Sequence, residues 1–525
     1  MSICRLSAVS GRYKHSFARL QFTARPGSEL QPGQGVTCNV CDTISSKPEG
    51  DRWTNCPKNH IIAWISPIEN AYRTQTIMNT DTTTRKLNEE LLHFIDASPN
   101  AFFAVHNMAQ MLTKAGFREL SESLSWDLHP GDSYFVTRNG SALIAFRIPE
   151  RTDYAGFQIM ASHCDSPAFR IKPNAEIVVG NAYVKLNTEK YGGMLCAPWL
   201  DRPLSVAGRV IIACDNGIQS RLVNVNRDLL VIPNLAIHMN RQANDGCSFN
   251  AQVDMLPLFG EAGKDTQDGK NRLMELIAGC AGTTADRILD CDLFLYNRMK
   301  GTFFGEKEEF IASGRLDDLQ CAFASLKGLL LSRPSGSIAV HCVLDNEEVG
   351  SGTKQGAAGT FLKDTLRRIN MALGGSEEDL MRRIPASFMV SADNAHAVHP
   401  NHDGKADPTN RPLLNHGIVI KYSANQKYTT DAVSGAVFRA VCKKADVPYQ
   451  TFTNRSDMVG GSTLGNISQS QVSLNTVDIG LPQLAMHSPY ETAGTKDTAY
   501  LVKAAQVLFS GSMHFQADGS CTLNL

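Results

Sequence analysis

Apolar positions recur with two different periods along this chain, and each change of period marks an element. From about Thr82 onward Leu87, Leu91, Leu92 and Ile95 repeat at helical spacing. Ser98-Pro99 then reads as a cap followed by proline at the first helical position, opening a second helix that runs to about Ala115 and stops at Gly116. Tyr134 to Arg138 and Ser141 to Ile148 flank Asn139-Gly140, a dipeptide suited to a two-residue hairpin turn because both residues tolerate positive φ. Phe157 to Ala161 predicts a buried strand. Ile171 to Leu186 and Leu204 to Val231 read as successive strands broken by Gly, Asn and Asp, and this β-rich character lasts to about residue 300. Helices and apolar strands then alternate: a helix after Leu316, strands Ser337 to Leu344 and Phe388 to Ala392, and a helix from Asp431 to Lys444.

Such alternation predicts an α/β fold, a mostly parallel sheet flanked by helices. The β-rich stretch interrupts it, so the main domain is expected in two pieces, residues 80–169 and 305–525, around an inserted β-rich domain at 170–304. Residues 1–79 lack periodic apolar positions and are expected to be a disordered N-terminal extension, with Met78 as a natural start. The basic, acid-free first 28 residues have the composition of an organelle transit peptide, although we prefer to read them as part of that extension. Cys38, Cys41, Cys56 and His60 form C-x2-C-x14-C-x3-H, close to structural zinc spacing, but few core residues surround them, and we do not count them among the sites.

Composition narrows the partners. With 51 Lys+Arg against 52 Asp+Glu and no block of like charge, nothing favours nucleic acid or a membrane surface. No apolar run approaches the roughly 18 residues of a membrane span. The 14 Cys lie scattered through 525 residues, which favours a reducing compartment and a cytoplasmic location. Cys164 we read as packing.

Candidate chemistry gathers at strand ends. The run Val343-Leu344-Asp345-Asn346-Glu347-Glu348-Val349-Gly350-Ser351 places two adjacent carboxylates where an apolar strand stops, the edge at which open α/β sheets build their sites. Four more segments offer ligand side chains: His163-Cys164-Asp165 after Phe157 to Ala161, Asp317-Asp318 at a helix start, Asp393 after Phe388 to Ala392, and His487 after Leu484-Ala485-Met486. Mixed imidazole and carboxylate donors suit zinc, or manganese or cobalt. Each segment alone has an ordinary structural explanation, as a cap, a solvated loop or a hydrogen-bonded histidine. Their combination points to a metallohydrolase. Spacing decides neither between Asp317 and Asp318 nor between Glu347 and Glu348.

Five blocks, His163-Cys164-Asp165-Ser166-Pro167, Arg315-Leu316-Asp317-Asp318-Leu319, Asp345 to Ser351, Ser391 to Asn401 and Leu484-Ala485-Met486-His487-Ser488, resemble in order the signatures of the aspartyl aminopeptidase family of two-zinc exopeptidases. The resemblance spans roughly residues 82 to 510. It implies a zinc exopeptidase fold with an inserted dimerisation domain. It implies two Zn2+ per subunit, with Mn2+ or Co2+ able to replace one: Asp317 bridging, His163 and Asp393 completing one site, Glu348 and His487 the other. Glu347 is then the general base and Asp165 the support of the imidazole or metal.

The same resemblance makes Lys421 the partner of an acidic N-terminal side chain, with Tyr428 lining its pocket. It sends His238 into a neighbouring subunit's site, in a dimer-based dodecamer. The expected substrates are peptides with N-terminal aspartate or glutamate. The extension at 1–79 departs from the family core, and Asn394, Asn425 and Ser488 to Glu491 occupy positions that we expect to vary within the family. Competing readings keep the two-metal site for a neutral-residue aminopeptidase or a deacylase, or keep the fold as a non-catalytic scaffold.

Overall fold

The computed structural model describes residues 82–151, 153–262 and 271–525. The transit-like segment and the Cys38, Cys41, Cys56 and His60 pattern lie outside the described residues. A nine-stranded sheet organises the fold. Its centre is parallel, with Ile338–Leu344, Phe157–His163, Phe388–Ala392 and Asn475–Gly480 side by side in that order. Antiparallel partners Ala142–Arg147 and Ile418–Lys421 flank this centre. The sheet is therefore mixed overall and parallel where the ligand blocks leave it.

These strands read as apolar runs because both faces are covered. Ile338, Val340, Cys342 and Leu344 pack on one side with Phe157, Ile159 and the helix Phe361–Ala372. Ala339, Val343 and Met160 pack on the other side against helices Leu316–Leu331 and Asp497–Ser510. Those two helices touch closely at Gly328, where an added Cβ would come within 2.4 Å of Ala505 Cβ. The helix at 82–97 and the helix Ala101–Lys114 complete this layer.

The cap of the second helix differs from the sequence expectation. Asn100, not Ser98, is its N-cap, accepting from the Phe103 N–H at 3.4 Å. Ser98 Oγ is engaged instead by Asn107 Nδ2 at 3.0 Å, and the proline precedes the helix. Gly116, at φ 88°, ends the turn as expected.

Between Ala168 and Asn297 the chain forms a separate six-stranded antiparallel sheet. Phe169, Leu186, Trp199, Val206 and Leu293 fill its core under the helix Arg272–Ala281. A third sheet of five short strands joins Thr302–Phe304, Phe310–Ser313, Glu491–Gly494, Pro482–Leu484 and Ala395–His396. This small sheet positions the site: its strands lie directly before Asp317, after Asp393, and on either side of His487. Among the described residues no helix is long and apolar enough to cross a membrane.

Candidate metal centre

Each ligand block is delivered by the end of an element. His163 is the last residue of its strand, and Leu344 pairs with it across the ladder, so the turn Glu347–Val349 emerges beside the imidazole. Asp393 follows the next parallel strand over. Asp317 and Asp318 sit at the head of Leu316–Leu331 with non-helical backbone angles, and the peptide joining them is cis. His487 lies in a turn after Pro482–Leu484, at φ 66°.

Asp317 is the meeting point. Its Oδ1 lies 3.4 Å from His163 Nε2 and its Oδ2 lies 3.6 Å from His487 Nε2. His163 Nε2 is 4.0 Å from Asp393 Oδ1, and His487 Nε2 is 3.4 Å from Glu348 Oε2. The donor atoms of His163, Asp317 and Asp393 form one triad, and those of Asp317, Glu348 and His487 another, each with all members within 4.8 Å. Asp318 takes a different place: fully buried, it accepts the His163 N–H through Oδ2 at 3.1 Å.

These residues fit divalent cations on three grounds. First, Asp317 Oδ1 and Glu348 Oε1 are buried without a hydrogen-bond partner, a costly state for a carboxylate unless a cation compensates it. Second, both imidazoles are oriented by carbonyls. His163 Nδ1 meets the Asp165 main-chain carbonyl at 3.1 Å and His487 Nδ1 meets that of Gly193 at 2.5 Å. A carbonyl only accepts, so each Nδ1 carries the proton and each Nε2 lone pair faces the cluster. Third, burial and neighbouring carboxylates push Glu347 up to about 8 and Asp393 to about 6, whereas against burial His163 and His487 hold Asp317 below the ordinary carboxylate range, so the acids are already arranged around positive charge.

Asp165 acts mainly through another contact than the imidazole. Its Oδ1 is 3.5 Å from His163 Nδ1, but its oxygens accept the backbone N–H groups of Glu347 and Glu348, each at 3.1 Å. Glu491 was missed by the sequence reading, which treated its segment as variable. Buried, it accepts the Asp317 N–H at 3.0 Å and the His487 N–H at 2.8 Å, tying two ligand-bearing loops together.

A pocket of about 180 Å³ opens on the cluster, lined by His163, Asp317, Glu347, Asp393 and His487 together with Lys421 and Tyr428. Lys421 is the single Lys or Arg in that lining. Its Nζ donates to the Asn394 carbonyl at 2.8 Å and lies 3.8 Å from Asp393 Oδ2. Burial disfavours the ammonium, but Asp393 and the further charges around it outweigh burial, and its pKa is raised. Tyr428 is buried with its ring 5.5 Å from Nζ. His396 also lines this pocket, edge-on to Phe452 with ring centroids 6.1 Å apart, and the sequence reading assigned it no role. His238 is not brought to the site within one chain: it sits in an exposed turn of the inserted region. A larger cavity of about 420 Å³ is lined by Asp165, Tyr191 and Glu491 and by none of the five candidate ligands.

A profile described as "Aminopeptidase I zinc metalloprotease (M18)" matches residues 94–509. The chain belongs to the M18 family of zinc metallo-aminopeptidases. An M18 relative from Clostridium acetobutylicum, described as a probable M18 family aminopeptidase 2, is 48% identical over 425 residues, 80% of this chain and 98% of that protein. The M18 fold is shared with solved structures. One, described as the Ape4 and Nbr1 complex, superposes with a TM-score of 0.78 at 37% identity, covering 81% of this chain and 86% of that one. Another, the S. cerevisiae mApe1 dodecamer, gives 0.70 at 28% identity, covering 80% and 95%. The zinc exopeptidase fold expected from the sequence is therefore the observed one.

Proposed function

We propose that this M18 enzyme is an aspartyl aminopeptidase, which removes N-terminal aspartate or glutamate from peptides at a two-metal site. The observation that carries the reading is Lys421, the lone ammonium in the lining of a pocket that also holds His163, Asp317, Asp393 and His487, four of the five candidate ligands. An ammonium has three donors, and one is taken by Asn394 at 2.8 Å. The others are available to a substrate carboxylate, and an acidic side chain placed there would be held by a charge-assisted bond. Tyr428 packs beside the same ammonium and shapes the pocket wall.

His163, Asp317 and Asp393 would hold one metal and Asp317, Glu348 and His487 the other. Two bound Zn2+ ions, with Mn2+ or Co2+ possible at one position, would polarise the scissile carbonyl and acidify an attacking water. Glu347 has no ion-pair partner within 4.0 Å among the described residues; its carboxylate lies within 4.8 Å of donor atoms of His163 and Glu348, it lines the pocket, and its backbone N–H is held by Asp165. Its carboxylate takes the proton of the attacking water and returns it to the leaving amine. Asp165 holds the backbone of the Glu347 turn, and its main-chain carbonyl holds the His163 ring.

The assembly belongs to the same reading. The solved mApe1 relative is described as a dodecamer, and we extend a dimer-based homo-oligomer, ultimately a dodecamer, to this chain. The inserted domain, residues 170–304, exposes Leu235, Ile237 and Met239 on either side of His238 in sequence, apolar side chains suited to a second copy. His238 would then reach the neighbouring subunit's pocket and bind substrate or stabilise the tetrahedral oxyanion. The 14 scattered cysteines, which suit a reducing compartment, and the balanced charge support a cytoplasmic enzyme acting on free peptides.

Replacing Lys421 by Leu tests the specificity. The kcat/KM for an aspartyl peptide should fall relative to a leucyl peptide by roughly 10-fold or more, the value of a hydrogen bond to a charged group. An unchanged ratio overturns the acidic pocket.

A further inference from the structure

The inserted sheet touches the metal cluster through a short strap. Tyr191 ends the strand Tyr183–Tyr191, and the five residues from Tyr191 to Leu195 run past two candidate ligands. The Tyr191 hydroxyl donates to Asp165 Oδ2 at 2.7 Å and accepts from Asn346 Nδ2 at 2.8 Å. Asp165 receives the N–H groups of Glu347 and Glu348. Asn346 Oδ1 is itself held at 2.8 Å by both Thr353 Oγ1 and Gln355 Nε2. One phenol thus joins the two supports of the turn Glu347–Val349, Asp165 on its backbone N–H groups and Asn346 at the residue before it.

The rest of the strap meets the other ligands directly. Gly192 has φ 77°, and a Cβ there would lie 3.1 Å from Glu348 Cβ, so the strap backbone rests against that side chain. Gly193 presents its carbonyl to His487 Nδ1, and the Leu195 N–H donates to the His487 carbonyl at 3.1 Å. Glu348 and His487 are the two members of the second triad that Asp317 does not supply.

We infer that Tyr191 is a positioning residue of the metal centre, through which the inserted domain fixes the Glu347–Glu348 turn and sets how firmly the second metal is held. The inference rests on the ligand assignment proposed above. A network of this kind acts in advance of chemistry: Asp165 orients two N–H groups at once, and the tyrosine keeps Asp165 and Asn346 at fixed separation. Without the hydroxyl, Asp165 loses its shortest contact and the turn gains freedom. Outer contacts of this sort typically change metal affinity or activity by about 10–100-fold when removed.

Tyr191→Phe in the full, zinc-loaded enzyme tests this. The ring should stay in place, because it packs edge-on to Phe294 with centroids 5.6 Å apart. Zinc retained against a competing chelator should weaken by about 10-fold or more at one of the sites, and the pH profile of kcat/KM should shift. Tyr296→Phe is the control. It loses hydroxyl contacts to Asn224 at 2.8 Å and from Arg298 at 3.3 Å in the same inserted sheet, neither of them a candidate ligand nor a support of the Glu347 turn, and should retain zinc as wild type does. Tyr191→Phe with wild-type zinc retention and pH profile overturns the inference, as does an equal loss in both variants. Zinc retention is read without turnover, so activity surviving in Glu347→Gln would remove the base assignment and leave the Tyr191 result intact.

Discussion

Asp317 offers its two carboxylate oxygens to two different histidines, Oδ1 3.4 Å from His163 Nε2 and Oδ2 3.6 Å from His487 Nε2. A side chain so placed belongs to both triads, which would make two metals bound there interdependent. Asp317→Asn leaves one acceptor oxygen and a donor amide in that position, so both metals should be lost together. Metal analysis after dialysis should find well under one zinc per subunit; one full zinc would show that Asp317 serves a single site.

Removing the metals should loosen the protein as well as stop it. Asp317, Glu348, Asp393 and Glu347 lie together in a mostly buried cluster, and without metal cations their repulsion is only partly offset by His163, His487 and Lys421. Ligand binding to the folded state contributes about 2.7 kcal/mol at one hundred times Kd, so chelation should lower the melting temperature and added zinc restore it. A chelated enzyme melting with the loaded one would argue that the cluster holds no structural cation.

Glu347 and Glu348 are neighbours in sequence with separate tasks in the proposed mechanism. Glu348 Oε2 faces His487 Nε2 at 3.4 Å, whereas Glu347 lines the pocket. Glu347→Gln should therefore keep two metals while turnover falls by roughly 100- to 10,000-fold, the usual value of general acid–base help. Glu348→Gln should lose a metal. The reverse pattern would exchange the two roles.

Much of this was legible because chemistry sits where strands stop. The apolar runs ending near His163, Asp345 and Asp393 made their carboxyl edge visible, and the parallel centre of the sheet brings those ends together. Adjacent carboxylates were not resolvable by spacing: only the backbone at the head of Leu316–Leu331 turns Asp317 to the histidines and Asp318 to the His163 N–H. Tyr191 and Glu491 carried no signal at all. Each joins a near partner to a distant one, Asn346 155 residues from Tyr191 and Asp317 174 residues from Glu491, and a lone Tyr or Glu in a polar stretch resembles any surface residue. The helix cap was misplaced by two residues for a similar reason, since Ser98 is claimed by Asn107 rather than by its own helix.

Subunit sharing predicts complementation. A His238→Ala chain lacks the contributed histidine and keeps its own Glu347; a Glu347→Gln chain has the opposite defect. Mixed oligomers should recover up to about a quarter of wild-type activity under random pairing with one intact site formed per mixed pair. Activity that stays at the level of the separate variants after mixing would place His238 outside the neighbour's pocket.

The centre of the sheet contains a histidine that the chemistry does not use, and it sets an acid limit on stability. His341 is fully buried on Ile338–Leu344, with Nδ1 2.8 Å from Ser325 Oγ and Nε2 unpartnered. Burial lowers its pKa to about 3, against about 6.5 in an unfolded chain. Between these values the unfolded chain binds a proton that the folded chain refuses, so the contribution is whole above about pH 6.5 and declines as pH falls toward 3. One such group contributes a slope of about 1.4 kcal/mol per pH unit. His341→Gln keeps a polar partner for Ser325 without a titrating group. It should lower stability at neutral pH, yet its melting temperature should fall less steeply than wild type between pH 6 and 4. Zinc release in acid affects both proteins, so the difference between them isolates the histidine; parallel curves would mean that the folded protein admits the proton at His341.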